Sequence, residues 1–196
     1  MITTDRLVAL VCRSPGDHPG DPRLHIRSAP DGWWYRIPLP NGGTLTVLLT
    51  DYDQIPRGRQ ALSAFWLSQL PESWRSECRE ATARPSSRLR CLPASSRWAT
   101  NITGPNWVLA GDAAVAADPL CGRGIALAIE SGTEAARAIV SFDRGNESSL
   151  QDYQSAVFAR RGQLWREQSR LYAAVISWPN RPFWKRRNQS HLTSRA

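Results

Sequence analysis

The sequence lacks the features that mark membrane and secreted proteins. No apolar run approaches the roughly 20 residues that a membrane-spanning helix needs. The first residues show no basic start followed by an apolar stretch, so no signal peptide is evident. The cysteines form no Cys-x-x-Cys pair, which indicates reduced thiols and not a disulfide framework. We therefore expect a cytoplasmic protein with no membrane partner.

Lysine and histidine are also scarce. Lys185 is the only lysine, so arginine supplies almost all of the positive charge. The three histidines are scattered at positions 18, 25 and 191, and none has a partner at metal-ligand spacing. We predict no metal site. No Ser/His/Asp or Cys/His arrangement is evident either, so the sequence names no catalytic residue.

Acidic residues are nearly absent from one end of the chain. The sequence has 25 basic and 17 acidic residues, a net charge of +8. Residues 158–196 hold nine of the basic residues and one acidic residue, Glu167, so residues 1–157 are neutral. Nucleic acid could bind only through this tail. We interpret the tail as an amphipathic helix with a solvated basic face and a tryptophan-anchored end, and we do not expect nucleic acid as a partner.

Hydrophobic residues make up 41% of the chain, enough for a folded core. Short apolar or alternating runs predict strands at 6–12, 24–28, 32–39, 44–50 and 87–92. The Pro-Asn-Gly-Gly segment at 40–43 suits a tight hairpin turn. Apolar residues at helical spacing predict a helix over 57–79 that Pro71 interrupts.

The second half of the chain has a helical pattern. A short strand at 107–110 precedes a long helix over about 123–140, whose face combines small residues with isoleucines. A further helix over 148–176 repeats Leu150, Val157, Leu164 and Leu171 at seven-residue spacing. The expected fold is α/β with a mixed, partly antiparallel sheet. The expected divisions are a sheet-and-helix segment at 1–92, a strand–loop–helix segment at 93–145, and a C-terminal helix with its tail at 146–196.

The informative segment lies between the strand at 107–110 and the long helix. Gly111 and Asp112 end the strand, and an aspartate there can accept hydrogen bonds from a polyol. Gly111 has no Cβ and lets a cofactor chain pass against the backbone. Gly122 and Gly124 leave backbone N–H groups open at a helix N-terminus, which favours partial negative charge. An ordinary strand–turn–helix unit is the alternative interpretation.

This segment resembles the second flavin-binding motif of FAD-dependent oxidoreductases of the aromatic-hydroxylase and flavin-dependent halogenase type. The resemblance implies that Asp112 contacts the ribityl chain of FAD and that residues 119–124 lie along the isoalloxazine ring. The form Asp-Pro-Leu-x-x-x-Gly-Ile at 118–125 is closest to the halogenase-like branch. The residues that the resemblance assigns to the cofactor are Gly111, Asp112, Asp118, Pro119, Gly122, Gly124 and Ile125. Cys121 is interpreted as a small packing residue.

A second resemblance concerns the strand at 32–39. Its sequence is similar to the Trp-x-Trp-x-Ile-Pro signature of flavin-dependent halogenases, with Tyr35 in place of the second tryptophan. The resemblance implies a substrate pocket formed by Trp33, Tyr35, Ile37 and Pro38. The alternative is a strand whose aromatic side chains pack in the core.

The first half of such an oxidoreductase has no counterpart in this sequence. The family begins with a strand, a Gly-x-Gly-x-x-Gly turn and a helix that hold the ADP part of FAD, and no Gly-x-Gly-x-x-Gly occurs here. We therefore expect a truncated flavoprotein fold that lacks the N-terminal Rossmann unit and matches only the C-terminal portion of the family. By itself it should bind FAD weakly or not at all, and a separate chain could supply the ADP-binding half.

Two functions remain open from the sequence. The first is the C-terminal part of an FAD-dependent monooxygenase or halogenase-like oxidoreductase, which holds the flavin side of FAD and part of a pocket for a small-molecule or protein-bound substrate. The second is a non-enzymatic binding module whose basic, tryptophan-containing arm contacts nucleic acid or a protein partner. The sequence leaves open whether the chain is active alone.

Overall fold

Five strands of the first half pair into one antiparallel sheet. The computed structural model describes residues 1–14, 22–40, 42–75 and 89–189. The strands are β1 (Ile2–Thr3), β2 (Leu7–Ser14), β3 (His25–Ala29), β4 (Gly32–Pro38), β5 (Thr44–Asp51), β6 (Arg90–Pro93), β7 (Arg97–Trp98), β8 (Thr103–Gly104), β9 (Trp107–Val108) and β10 (Val115–Ala116). The larger sheet has the order β3-β4-β5-β2-β6, and two smaller sheets contain β1-β7-β10 and β8-β9. The helices are α1 (Arg59–Gln69), α2 (Glu72–Arg75), α3 (Gly124–Asp143), α4 (Ser149–Ala173) and α5 (Pro182–Gln189).

The sheet and the helices after it share a tryptophan-rich core. Trp34 on β4 is fully buried, and its ring meets Trp66 and Trp74 edge to face at centroid distances of 5.1 and 6.4 Å. Its indole N–H donates to the carbonyl of Gln69 at 2.9 Å. Pro71 separates α1 from α2, so the helix predicted over 57–79 is two helices. Residues 76–79 of that prediction lie outside the described part.

The basic tail packs onto this same sheet unit. Phe183 and Trp184 on α5 are buried, and the Trp184 indole N–H donates to the Ala29 carbonyl at 2.9 Å. Arg187 and Arg186 both bind the buried Asp51 carboxylate, at 2.8 and 2.9 Å. The tryptophan-anchored end agrees with the sequence interpretation. Arg166, Arg170 and Lys185 are exposed as expected for a solvated basic face, whereas Arg186 and Arg187 are ion-paired.

A second carboxylate extends this ion-pair cluster. Asp53 accepts from Arg186 at 2.7 Å and pairs with Arg6 at 3.1 Å. The hydrogen bond from Arg186 is the main cause that lowers the pKa of Asp53, and the same contact raises the pKa of Arg186. Asp53 is more exposed than Asp51, whose side chain is only 2% exposed. The buried Asp51 pairs are therefore the part of the cluster that matters most for stability.

The described chain forms two compact units. One contains residues 6–94 with the segment from 175 onward, and the other contains residues 1–5 and 95–174. These units differ from the three consecutive divisions expected from the sequence, because the predicted C-terminal helix and tail are shared between both units. The first unit has the five-stranded sheet with α1, α2 and α5, and the second has α3, α4 and the two small sheets.

Two long helices organise the second unit. Buried residues on α3 and α4 pack with Ile102 and Ala114 into one core. Tyr153, Val157 and Leu164 of α4 are buried, whereas Leu171 is 45% exposed and Tyr172 is buried in its place. The expected seven-residue repeat fails at its fourth position because a straight α-helix drifts about 20° per heptad.

The mixed α/β fold class is confirmed. The helix predicted at 123–140 is α3, three residues longer at its C-terminus, and the hairpin of β4 and β5 has the predicted pairing. The strand predicted at 107–110 is shorter, because only Trp107 and Val108 pair, with Gly104 and Thr103. Among the described residues, no helix is long and apolar enough to cross a membrane.

Candidate functional site

The predicted cofactor segment docks on α3 through Gly111. This glycine begins a 3-10 turn (Gly111–Ala113) and has φ +57°, a conformation that favours glycine. Its N–H donates to the Ser131 hydroxyl at 2.9 Å, and that hydroxyl donates onward to the Leu127 carbonyl at 2.7 Å. A Cβ at Gly111 would lie 3.3 Å from the Cβ of Ala128. Gly111 is thus required by the close approach of the turn to α3.

Asp112 is an exposed carboxylate next to Gly111. It follows Gly111 in the exposed 3-10 turn. Within the part of the chain that the structure describes, no hydrogen bond or ion pair involves its side chain. Nothing in the described fold uses this carboxylate, so it is available to accept hydrogen bonds from a polyol.

Asp118 has the opposite character. Its side chain is 2% exposed, and its carboxylate accepts from the Leu120 N–H, the Gln168 amide and the Tyr172 hydroxyl at 2.8, 2.9 and 2.9 Å. The first of these bonds caps the 3-10 turn Pro119–Cys121. Asp118 therefore stabilises the turn through buried hydrogen bonds. Its predicted contact with FAD stays a prediction.

Two glycines open the start of α3. Gly122 closes the 3-10 turn with φ +63°, which explains glycine there by conformation alone. Gly124 has no positive φ, and a Cβ at either glycine would meet no atom within 4 Å. The fold therefore gives no reason for glycine at position 124. An approach of a ligand to the free N–H groups of the first helical turn would give one.

The α3 face next to this start is apolar and uncovered in its unit. Ile125 is 81% exposed and Ile129 is 65% exposed. Ile139 and Val140 continue the exposed stripe, while Leu127, Ser131, Ala135 and Ala138 bury the other face of the helix. The small and branched residues that the sequence placed on one packing face are thus divided between the two faces.

Cys121 sits beside the Asp118 carboxylate. Burial, with added repulsion from Asp118 and Glu167, raises the pKa of the Cys121 thiol to about 11. The thiol is therefore neutral near pH 7 and a poor nucleophile. This agrees with its interpretation as a packing residue.

The predicted substrate residues divide between the two faces of β4. Trp33, Tyr35 and Ile37 alternate onto one face, where they pair with Leu49, Val47 and Leu45 on β5. The Trp33 and Tyr35 rings are 6.1 Å apart, and burial raises the pKa of Tyr35. Pro38 belongs to the other face, with Trp34. Three of the four residues can therefore share one face of the strand. Trp33 and Trp34 are both buried, which fits the core interpretation.

Three side chains of α4 that support the loop were not predicted from the sequence. Gln168 and Tyr172 on α4 bind Asp118, and Tyr153 on the same helix donates to the Leu109 carbonyl at 2.8 Å just before Gly111. One signal was present: Leu164, Gln168 and Tyr172 are spaced four residues apart and so share a helix face. Polar side chains on the buried face of a helix usually form hydrogen bonds with other polar groups in the protein interior.

The described segment is a short strand, β9, followed by two 3-10 turns and the long helix α3. No protein-family model matches the sequence. The chain is 27% identical over 190 residues to LodB of Marinomonas mediterranea, which is classed as an FAD-dependent oxidoreductase; the match covers 95% of this chain and 50% of LodB. The chain thus spans about half the length of that relative.

Solved structures have the same fold. The peptidyl tryptophan dihydroxylase QhpG, essential for tryptophylquinone cofactor biogenesis, superposes with a TM-score of 0.80 and 25% identity over 95% of this chain and 45% of QhpG. The flavin-dependent halogenase CmlS superposes with a TM-score of 0.76 and 22% identity over 97% of this chain and 37% of CmlS. The chain is therefore similar in sequence to an FAD-dependent oxidoreductase, and it shares its fold with part of a tryptophan dihydroxylase and of a flavin-dependent halogenase.

Proposed function

We propose that this chain is the flavin-side portion of an FAD-dependent oxidoreductase of monooxygenase or halogenase-like type. The observation that carries the proposal is the contrast within one segment. Gly111 and Asp118 are held by hydrogen bonds within the fold. Among the described residues, by contrast, the Asp112 side chain has no partner, and a side chain at position 124 would contact no other atom. Residues that a fold does not need are the ones available to a ligand.

In this proposal each group has a defined role toward FAD. Asp112 accepts hydrogen bonds from the ribityl hydroxyls, and the free N–H groups at the start of α3 face the electron-rich side of the isoalloxazine ring. Gly122 and Gly124 keep that approach open. When bound, the flavin supplies the redox chemistry, and this chain binds and orients it. Trp33, Tyr35 and Ile37 form one wall of the substrate pocket.

The proposal includes a second polypeptide region that holds the ADP part of FAD. The sequence has no Gly-x-Gly-x-x-Gly, and the match covers half of LodB. The exposed stripe on α3 offers an apolar surface for that region, whether it belongs to a longer form of this protein or to a separate chain. The substrate is an aromatic small molecule or a protein side chain; the name of QhpG supports the second.

Substitutions at Asp112 and Gly124 test the site. Equilibrium dialysis against FAD should show at least tenfold weaker binding for Asp112→Ala and for Gly124→Ala, since the first removes an acceptor and the second places a methyl group in the cofactor's path. Neither change should lower the melting temperature, because neither side-chain position makes contacts in the described fold.

Asp143→Ala is the matched control, because Asp143 is also an exposed carboxylate of the same unit, at the far end of α3. It should bind FAD like the unaltered chain. Equal affinities for all four proteins would contradict the proposed site.

A further inference from the structure

The second unit contains a pocket of about 130 Å³ beside the small β1-β7-β10 sheet. One wall comes from Trp98 on β7 and from Val115 on β10, and the other comes from Leu164 and Trp165 on α4. The neutral Cys121 thiol also lines it. The pocket is therefore mostly apolar, with two indole rings, and such walls favour a planar hydrophobic ligand.

Arg161 supplies a cation at this pocket that no acid neutralises. Its guanidinium lies 4.4 Å from the centre of the Trp98 ring and 5.5 Å from that of Phe158. Within residues 1–14, 22–40, 42–75 and 89–189, no carboxylate pairs with it. By contrast, the preceding Arg160 binds Glu134 at 2.6 Å. A half-buried guanidinium held over a ring is preorganised to bind a carboxylate.

Ser96 adds a second unused polar group. Its backbone is held by the Thr4 N–H, which donates to the Ser96 carbonyl at 3.1 Å, and by the Asp5 carboxylate, which accepts from the Ser96 N–H at 3.1 Å. Ser96 lines the pocket, yet its hydroxyl oxygen is buried without a hydrogen-bond partner. A buried hydroxyl of this kind is costly unless a ligand satisfies it.

The charged residues of the lining predict the charge of the ligand. Arg97 and Arg161 contribute two positive charges, and Asp118 contributes one carboxylate that already accepts three hydrogen bonds. The lining is therefore net positive. Its volume is close to the cavity of about 150 Å³ that accommodates benzene in another protein.

We propose that this pocket binds a small aromatic carboxylate of about the size of benzoate. The ring lies against the apolar side chains of the lining, and the carboxylate accepts hydrogen bonds from Arg161 and from the Ser96 hydroxyl. The site does not depend on the proposed flavin function: of the residues assigned to FAD, Asp118 alone lines the pocket, and its carboxylate is engaged internally.

Calorimetric titration of the full chain with benzoate tests this proposal. Benzoate should bind, while acetate and benzyl alcohol should bind at least tenfold more weakly, because acetate lacks the aromatic ring and benzyl alcohol lacks the carboxylate. Arg161→Met should weaken benzoate binding at least tenfold. Ser96→Ala should weaken it by about twofold to tenfold, the range for one neutral hydrogen bond, without lowering the melting temperature, since its hydroxyl has no partner to lose.

Arg170→Met is the control for the first variant, because Arg170 is an exposed arginine on the same helix outside the pocket. It should bind benzoate like the unaltered chain. No heat of binding with benzoate up to tens of millimolar, or equal affinity in the unaltered chain, Arg161→Met and Ser96→Ala, would overturn the proposal.

Discussion

Replacing Asp51 by asparagine should lower the free energy of unfolding by about 3–5 kcal/mol, the usual cost of breaking a buried ion pair from one side. The Asp51 side chain is 2% exposed and binds Arg187, whose side chain is 8% exposed, and Arg186. Asparagine keeps the shape of aspartate but leaves the Arg187 charge buried without its partner. Urea denaturation followed by tryptophan fluorescence measures the loss.

Asp53→Asn is the matched control for this change. Asp53 belongs to the same cluster and also binds Arg186, but its side chain is 31% exposed. Exposed pairs contribute about 1 kcal/mol or less, so this variant should lose much less stability than Asp51→Asn. Equal losses in the two variants would mean that burial does not decide the strength of these contacts.

Replacing Asp118 by alanine should lower the free energy of unfolding by about 2–6 kcal/mol. The change removes the acceptor of the part-buried Leu120 N–H and the acceptor of the buried Tyr172 hydroxyl, and each lost buried partner costs about 1–3 kcal/mol. The Gln168 amide loses its partner as well. The turn before α3 should then become mobile, which chemical denaturation and amide hydrogen exchange at residues 119–124 would detect.

Tyr172→Phe is the graded control, since it removes one of the three donors and leaves the carboxylate in place. It should cost about 1 kcal/mol. Asp112→Ala should leave stability within about 0.5 kcal/mol of the unaltered chain, as expected for an exposed position. A loss of stability in Asp112→Ala as large as that in Asp118→Ala would contradict the division between internal and ligand-binding aspartates.

The sequence predicted local features well where one residue pattern decides them. The hairpin of β4 and β5 follows from its turn residues, and the start of α3 follows from Gly122 and Gly124. These features depend on contacts between residues that are close in the chain.

Features that depend on distant partners could not be predicted in this way. The pairing of Arg187 with Asp51 joins residues 136 positions apart, and that of Tyr172 with Asp118 joins residues 54 apart. A count of charges along the tail therefore indicated a solvated face. The motif likewise did not distinguish Asp112 from Asp118, because only the packing of α4 shows which carboxylate is buried.

The most direct test of the account compares riboflavin with FAD on the unaltered chain. Equilibrium dialysis should give the two ligands the same weak affinity, because the chain contacts only the flavin side that both share. FAD should also be lost on desalting, since no helix start holds its two phosphates. Binding of FAD at least tenfold tighter than riboflavin, or a stoichiometric yellow protein after desalting, would contradict the central claim that the ADP-binding half lies elsewhere.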